Sequence, residues 1–157
     1  MNASKKSLIS GLMILFSVSA SSMTEQVSQS QSDAARISML EKALAPQKLD
    51  EVATLFAKAN KERNAAVQFM LFSEQLKNKF NDRWPYWVSG VSSPWITSYE
   101  IKKIAQSKSS WKFRITYQWA TADGPFNPPM VQTIVVAPVP EPINSSQKFW
   151  IIEFNEQ

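Results

Sequence analysis

The residues of this chain that are best suited to chemistry are carboxylates and aromatic rings, because it contains neither histidine nor cysteine. Without histidine, the commonest general base and metal ligand is missing, and a Ser-His-Asp triad is impossible. Without cysteine, thiol nucleophiles and thiolate metal sites are excluded as well. The acids form no calcium-loop pattern, and the three glycines form no phosphate-binding loop. We therefore predict no metal site and no cofactor, and we name no catalytic residue.

Two carboxylates lie within stretches that alternate like β-strands. Glu100 follows Tyr99 in one of them, and Glu153 shares a face with Phe149 and Ile151 in another. A carboxylate among apolar neighbours has a raised pKa and can act as a base. The favoured alternative is an exposed strand edge or a salt bridge. A small enzyme that uses Glu and Tyr acid–base chemistry in an apolar pocket is thus the second hypothesis.

The aromatic residues offer binding chemistry. Large apolar side chains occupy every second position of WKFRITYQWA, residues 111–120, which predicts the inner face of a central strand. The apolar surface of five such side chains is larger than the area that one packed helix can cover. A partly open apolar pocket is therefore expected near Trp111 or Trp119. The candidate ligand-binding residues are Trp95, Tyr99, Trp111, Tyr117 and Trp119.

A second aromatic group lies in RWPYW, just after the predicted helices. Pro85 stops a helix there, so the segment is predicted to be a loop or the entry to a strand. Trp84, Tyr86 and Trp87 are candidates for surface interaction, by stacking on sugar rings or on a partner protein. The alternative is a plug that closes one end of the fold.

The elements that position these residues change character at Pro85. Before it, residues 46–64 carry a helical stripe, and residues 65–80 contain two shorter helices, the second capped by Ser73. The stripe consists of Leu49, Val52, Phe56 and Ala59. After Pro85, a period of two predicts four strands over residues 95–104, 110–121, 130–138 and 148–154. The predicted fold is α+β, with N-terminal helices packed on a curved antiparallel sheet of about four strands.

The N-terminal segment has the order of a secretory signal peptide. Residues 1–20 contain Lys5 and Lys6, then an apolar run, then small residues. An uncleaved membrane anchor is the alternative, but the apolar run is short and interrupted by polar residues. We predict cleavage near Ala20, which makes the protein secreted or extracytoplasmic.

The remaining chain divides into a linker and one domain. Residues 21–45 are predicted to be a flexible linker with a short helix, and residues 46–157 to be the folded domain. Removal of residues 1–20 leaves 15 basic and 13 acidic residues, a net charge of +2. The basic residues are scattered among acids, so a nucleic-acid partner is not expected.

Four segments can be compared with known families: LDEVATLFAKANKERNAAVQFMLFSEQL, WVSGVSSPWITSYEI, ITYQW and FWIIEF. Taken together, they resemble a group of small exported bacterial domains of the nuclear transport factor 2-like superfamily, and SSPWITSYEI is the most specific part. The resemblance spans about residues 46–157 and implies a cone-like fold, in which a bent antiparallel sheet wraps around a long helix. Enzymes of the superfamily usually place a His–Asp or Tyr–Asp pair inside the cone, and this chain has no histidine.

These observations favour a non-catalytic exported module that binds a ligand or a protein partner at the bacterial cell envelope. They leave enzymatic activity open. The partner is an unidentified envelope ligand or protein, and a homodimer through the outer face of the sheet is a further expectation.

Overall fold

A computed structural model describes the backbone of residues 19–80, 94–140 and 147–156, and their side chains from residue 28 onward. The chain divides into two compact units, Met1–Ser38 and Met39–Gln157. In the described ranges, four helices precede four strands. The helices are α1 (Ser19–Leu44), α2 (Leu49–Lys61), α3 (Ala65–Met70) and α4 (Glu74–Phe80), and the strands are β1 (Trp95–Gln106), β2 (Trp111–Thr121), β3 (Gly124–Pro138) and β4 (Phe149–Glu156).

Helix α2 forms where the sequence predicts the clearest amphipathic helix. It begins at Leu49, after Pro46, because the Glu51 carboxylate accepts hydrogen bonds from the backbone N–H groups of Gln47 (2.9 Å) and Lys48 (3.1 Å). The predicted stripe is confirmed: Leu49 is half-buried, and the other three members are buried. The helix therefore packs its apolar stripe into the core.

Short polar caps separate the next two helices. The Asn64 side chain accepts a hydrogen bond from Val67 N (3.1 Å) at the start of α3, and the predicted Ser73 cap accepts one from Leu76 N (3.4 Å) in α4. Between them, Ser73 N donates to Ile151 O and Ile151 N donates to Leu71 O, each at 2.8 Å. These two backbone bonds attach the helical segment to β4.

The four strands form one antiparallel, curved sheet in the order β1-β2-β3-β4, as predicted from the short connections. Register shifts interrupt every pair of strands. Such β-bulges bend a strand and increase its twist, so they account for curvature without closure of the sheet. The α+β fold class predicted from the sequence is confirmed.

The core lies between the inner face of this sheet and helices α2, α3 and α4. At its centre, four phenylalanine rings pack with neighbouring centroids 5.7 to 6.0 Å apart. They are Phe56, Phe72, Phe80 and Phe154. Offset and tilted ring contacts at such distances add to the hydrophobic burial, so this cluster anchors the helices on the sheet.

Two sequence predictions differ from the structure. Residues 21–33 of the predicted linker belong to the continuous helix α1, whose glutamine-, serine- and alanine-rich sequence contains no glycine or proline to break a helix. Strand β3 begins at Gly124, although residues 122–129 have a turn-like composition. A register shift opposite Tyr117 and Trp119 accommodates the proline-rich start of β3.

Gly124 closes the tight turn between β2 and β3, where it pairs with Thr121. Its φ of 124° lies in a region that side-chain-bearing residues rarely adopt, so glycine is required at this position.

Residues 1–18, including most of the predicted signal peptide, lie outside the described residues, and cleavage near Ala20 stays a prediction. None of the described helices has the length and hydropathy that a membrane span requires.

Candidate binding site

The aromatic row of β2 lies on the inner face of the sheet, as its alternation predicts. Phe113, Ile115 and Tyr117 are buried in the core. Trp111 and Trp119, at the two ends of the row, are half-buried and pack against its margin. The half-buried apolar surface of the row therefore lies at the two ends of the strand, and the pocket expected there stays a prediction.

The structure does not bring all the candidate ligand-binding residues together. Trp111 and Trp119 are eight residues apart on one strand, which is about 26 Å at 3.3 Å per residue. Trp95 pairs with Ala120, so it lies on the face opposite Trp119. Only Tyr99, Tyr117 and Trp119 share one region.

The other aromatic candidates, Trp84, Tyr86 and Trp87, lie outside the described residues. Their proposed surface role stays a prediction.

We call the inner-face group of Ile96, Trp119 and Phe126 the aromatic end of the sheet. These residues pair across three strands, Ile96 with Trp119 and Trp119 with Phe126. The Phe126 ring meets Trp119 edge to face, with centroids 5.1 Å apart and an interplanar angle of 83°. The indole N–H of Trp119 donates to the backbone oxygen of Pro128 at 2.9 Å, which fixes the orientation of the indole. Phe126 remains 44% exposed, so its ring is available to a ligand.

Two tyrosines lie behind the aromatic end. Tyr99 and Tyr117 are directly opposite each other on β1 and β2, with ring centroids 6.2 Å apart. Burial raises the pKa of Tyr117 above its ordinary value of 10.0, the Asn60 side chain lowers it by less, and the charges of Tyr99 and Glu156 add to the rise. Tyr117 therefore keeps its proton throughout the physiological pH range and cannot act there as a general base.

Neutral amides complete this buried region. The Asn60 side-chain N–H of α2 donates to Gln132 Oε1 of β3 at 3.2 Å, and Gln68 Nε2 donates to the backbone oxygen of Phe56 at 3.4 Å. Within the described ranges, Asn60 Oδ1, Gln68 Oε1 and Tyr117 Oη have no hydrogen-bond partner. An unpaired buried polar atom costs about 1 to 3 kcal/mol. This region holds spare hydrogen-bonding capacity but no buried carboxylate or ammonium group among the described side chains.

The two carboxylates considered as bases lie elsewhere. Glu100 is exposed and forms an ion pair with Lys102 at 3.2 Å. Glu153 is exposed opposite Val135, and the register shift between Val135 and Val136 places it on the outer face, away from Ile151. The predicted sharing of a face between Glu153 and Ile151 is therefore wrong, because one bulge residue reverses the alternation of side chains.

A separate groove of about 410 Å³ runs beside the outer side of α2. Its lining mixes apolar side chains with both signs of charge: Leu44, Pro46, Asp50, Thr54, Leu55 and Lys58. It contacts neither the aromatic end nor the buried tyrosines. We assign it no chemistry.

The sequence analysis missed two residues of the aromatic end, Ile96 and Phe126. Phe126 is the less obvious of the two. It lies in GPFNPP, where two following prolines indicate a turn and hide the strand. The signal that could have identified Phe126 is its position just beyond a short turn, where it can pair with Trp119 on the preceding strand.

The described residues contain no cluster of three or more His, Asp or Glu side chains that could hold a metal ion. The arrangement can bind through the ring face of Phe126 and the exposed amide of Asn127. No protein-family model matches this chain, and no curated protein matches it in sequence.

Proposed function

We propose that this protein is an exported, non-catalytic binding module of the bacterial cell envelope, and that it contacts its ligand through the aromatic end. The export rests on the order of charged, apolar and small residues in positions 1–20. A nuclear transport factor 2-like relationship belongs to the same proposal and rests on SSPWITSYEI, together with the α+β layout.

The observation that carries the proposal is the ring pair of exposed Phe126 and half-buried Trp119, whose orientation is fixed by their mutual contact and by a hydrogen bond. A Phe side chain that is 44% exposed gains little for the fold, whereas its edge-to-face contact and the Trp119–Pro128 hydrogen bond keep both rings in place. Rigid aromatic side chains lose little conformational entropy on binding, so they are effective contact residues.

The chemistry around the rings favours a neutral ligand with ring faces, such as an envelope glycan. Exposed Asn127 offers an amide next to Phe126 in the chain, whereas the tyrosine hydroxyl and the amides behind the rings are buried. Apolar ring faces with hydrogen-bonding edges are what sugars present to aromatic side chains. Two charged residues flank this end, Arg63, which donates to the backbone oxygen of Pro94 at 2.7 Å, and Asp123 in the β2–β3 turn; their signs are opposite, so together they favour neither sign of ligand charge.

The alternative of a small enzyme has less support. The groups considered for its acid–base chemistry are Tyr117, Glu100 and Glu153. Tyr117 holds its proton above neutral pH, Glu100 is exposed and ion-paired with Lys102 on the face opposite the tyrosines, and exposed Glu153 lies on the outer face as well. We therefore propose binding without catalysis.

Co-sedimentation with purified peptidoglycan sacculi tests the proposal. Phe126→Ala should weaken binding about threefold to tenfold, the equivalent of one aromatic contact. Trp95→Ala is the matched control, since Trp95 is 43% exposed at the same end of the sheet but on the opposite face. A native protein that stays in the supernatant, or equal losses in both variants, would contradict the proposal.

A further inference from the structure

The excess positive charge of the chain is concentrated in the β1–β2 hairpin. Residues 95–121 contain five basic residues and one acid, a net charge of +4, which is also the net charge of the whole chain. The remaining residues are balanced, with twelve basic (17 minus 5) and twelve acidic (13 minus 1). The five cations, which we call the basic hairpin, are Lys102, Lys103, Lys108, Lys112 and Arg114.

The strand register concentrates this charge further. Lys102 lies directly opposite Arg114 on the neighbouring strand, and like charges in such a pair destabilise a sheet. Of the five cations, Lys102 alone has an ion-pair partner in the described part of the chain, which is Glu100. The other acid on the outer face, Glu153, lies two strands from Lys112, a separation of about 10 Å. Four cations are thus left to interact with a partner.

An exposed apolar side chain lies among these cations. Ile104 follows Lys103 on β1 and is 42% exposed. The half-buried Trp111 begins β2 opposite Gln106, next to the turn that carries Lys108, but lies on the inner face, whereas Lys102, Lys112 and Arg114 lie on the outer face. Cations beside an exposed aliphatic side chain are a combination that the interface of an anionic membrane attracts.

We propose that the basic hairpin docks on the surface of an anionic lipid bilayer. The cations supply attraction to lipid phosphates, and Ile104 enters the boundary between headgroups and acyl chains. A soluble polyanion would gain nothing from Ile104. A second copy of the chain would place like charges against each other. The docking surface is at the opposite end of β2 from the aromatic end, so one molecule can engage a membrane and a second ligand together.

Flotation of the full chain with lipid vesicles measures the electrostatic contribution to membrane binding. The vesicles are phosphatidylcholine with or without phosphatidylglycerol. The double variant Lys108→Gln and Lys112→Gln should bind the anionic vesicles about 25-fold more weakly, at about fivefold for each cation. The matched control, Lys58→Gln with Lys61→Gln, removes the same charge from α2 and should change binding little. Added salt should weaken binding of the native chain.

A fluorophore locates the contact independently of the N-terminal segment. Because the chain has no cysteine, Ile104→Cys can carry a single environment-sensitive label, with Ala122→Cys at the opposite turn as the control. Anionic vesicles should shift the emission of the label at position 104 to shorter wavelength and leave that at position 122 unchanged.

Four results would overturn the proposal. They are equal binding to neutral vesicles, an unchanged label at position 104 on bound vesicles, an equal shift caused by soluble polyphosphate, and a shift caused by raised protein concentration alone. The third identifies a soluble polyanion as the partner, and the fourth identifies a second copy of the chain.

Discussion

Truncation of Ile115 should destabilise the protein strongly because this side chain lies at the centre of the inner face. Ile115 is completely buried, and its strand neighbours are Ile101 on β1 and Gln132 on β3. Both neighbours are held by backbone pairing, so the cavity left by Ile115→Ala cannot collapse easily. Removal of a buried aliphatic side chain costs about 2 to 5 kcal/mol, and we expect a value in the upper half of that range. A domain of this size is stable by only about 5 to 15 kcal/mol.

The chain offers a matched control for this prediction in Ile104→Ala. The same atoms are removed, but Ile104 is 42% exposed on the edge strand β1, so the cost should stay below about 1 kcal/mol. Urea unfolding followed by circular dichroism gives both free energies of unfolding. If Ile115→Ala is neutral, or if the two variants lose the same stability, the inner-face assignment of the row is wrong.

Three further predictions concern ionisation, capping and metals. In the unfolded chain Tyr117 ionises near pH 10.0, whereas burial raises its pKa in the folded protein. The free energy of unfolding should therefore fall as the pH rises above about 10, and it should fall less in Tyr117→Phe. Urea midpoints measured across the pH range test this. An equal alkaline loss in both proteins would exclude Tyr117 as the cause. Ser73→Ala should cost about 0.5 to 2 kcal/mol because Leu76 N loses its cap, and thermal melting that is unchanged by the substitution would contradict this. A chelator should leave the melting temperature unaltered, since histidine and cysteine are missing from the sequence; a fall that calcium reverses would disprove it.

The sequence predicted the elements better than their ends. Period-two alternation and the stripe of α2 report which side chains are buried, so the four strands and the inner-face row were predictable. Residues 21–33 show no such period, but periodicity reports packing rather than helix formation, and helix α1 was missed there. Composition alone could not show that Pro125 and Pro128 belong to a strand, because a bulge tolerates them.

The candidate site was predictable only in part, for reasons of register. Alternation places Tyr117 and Trp119 on the inner face of the sheet. The face on which Glu153 lies depends on a bulge in β4, and the sequence analysis assigned Glu153 to the wrong face. Trp95 was grouped with Trp119 by residue type, although pairing with Ala120 directs it to the other face. The buried contact of Asn60 with Gln132 joins residues 72 positions apart, which no local pattern can indicate.

The central claim, that the aromatic end is the binding surface, is tested most directly by mapping amide chemical shifts with a soluble peptidoglycan fragment. The amide signals of Ile96, Trp119, Phe126 and Asn127 should shift together as the fragment is added. Those of the basic hairpin, at the other end of β2, should stay in place. Shifts confined to the hairpin or to α2, or no shifts at all, would contradict the account.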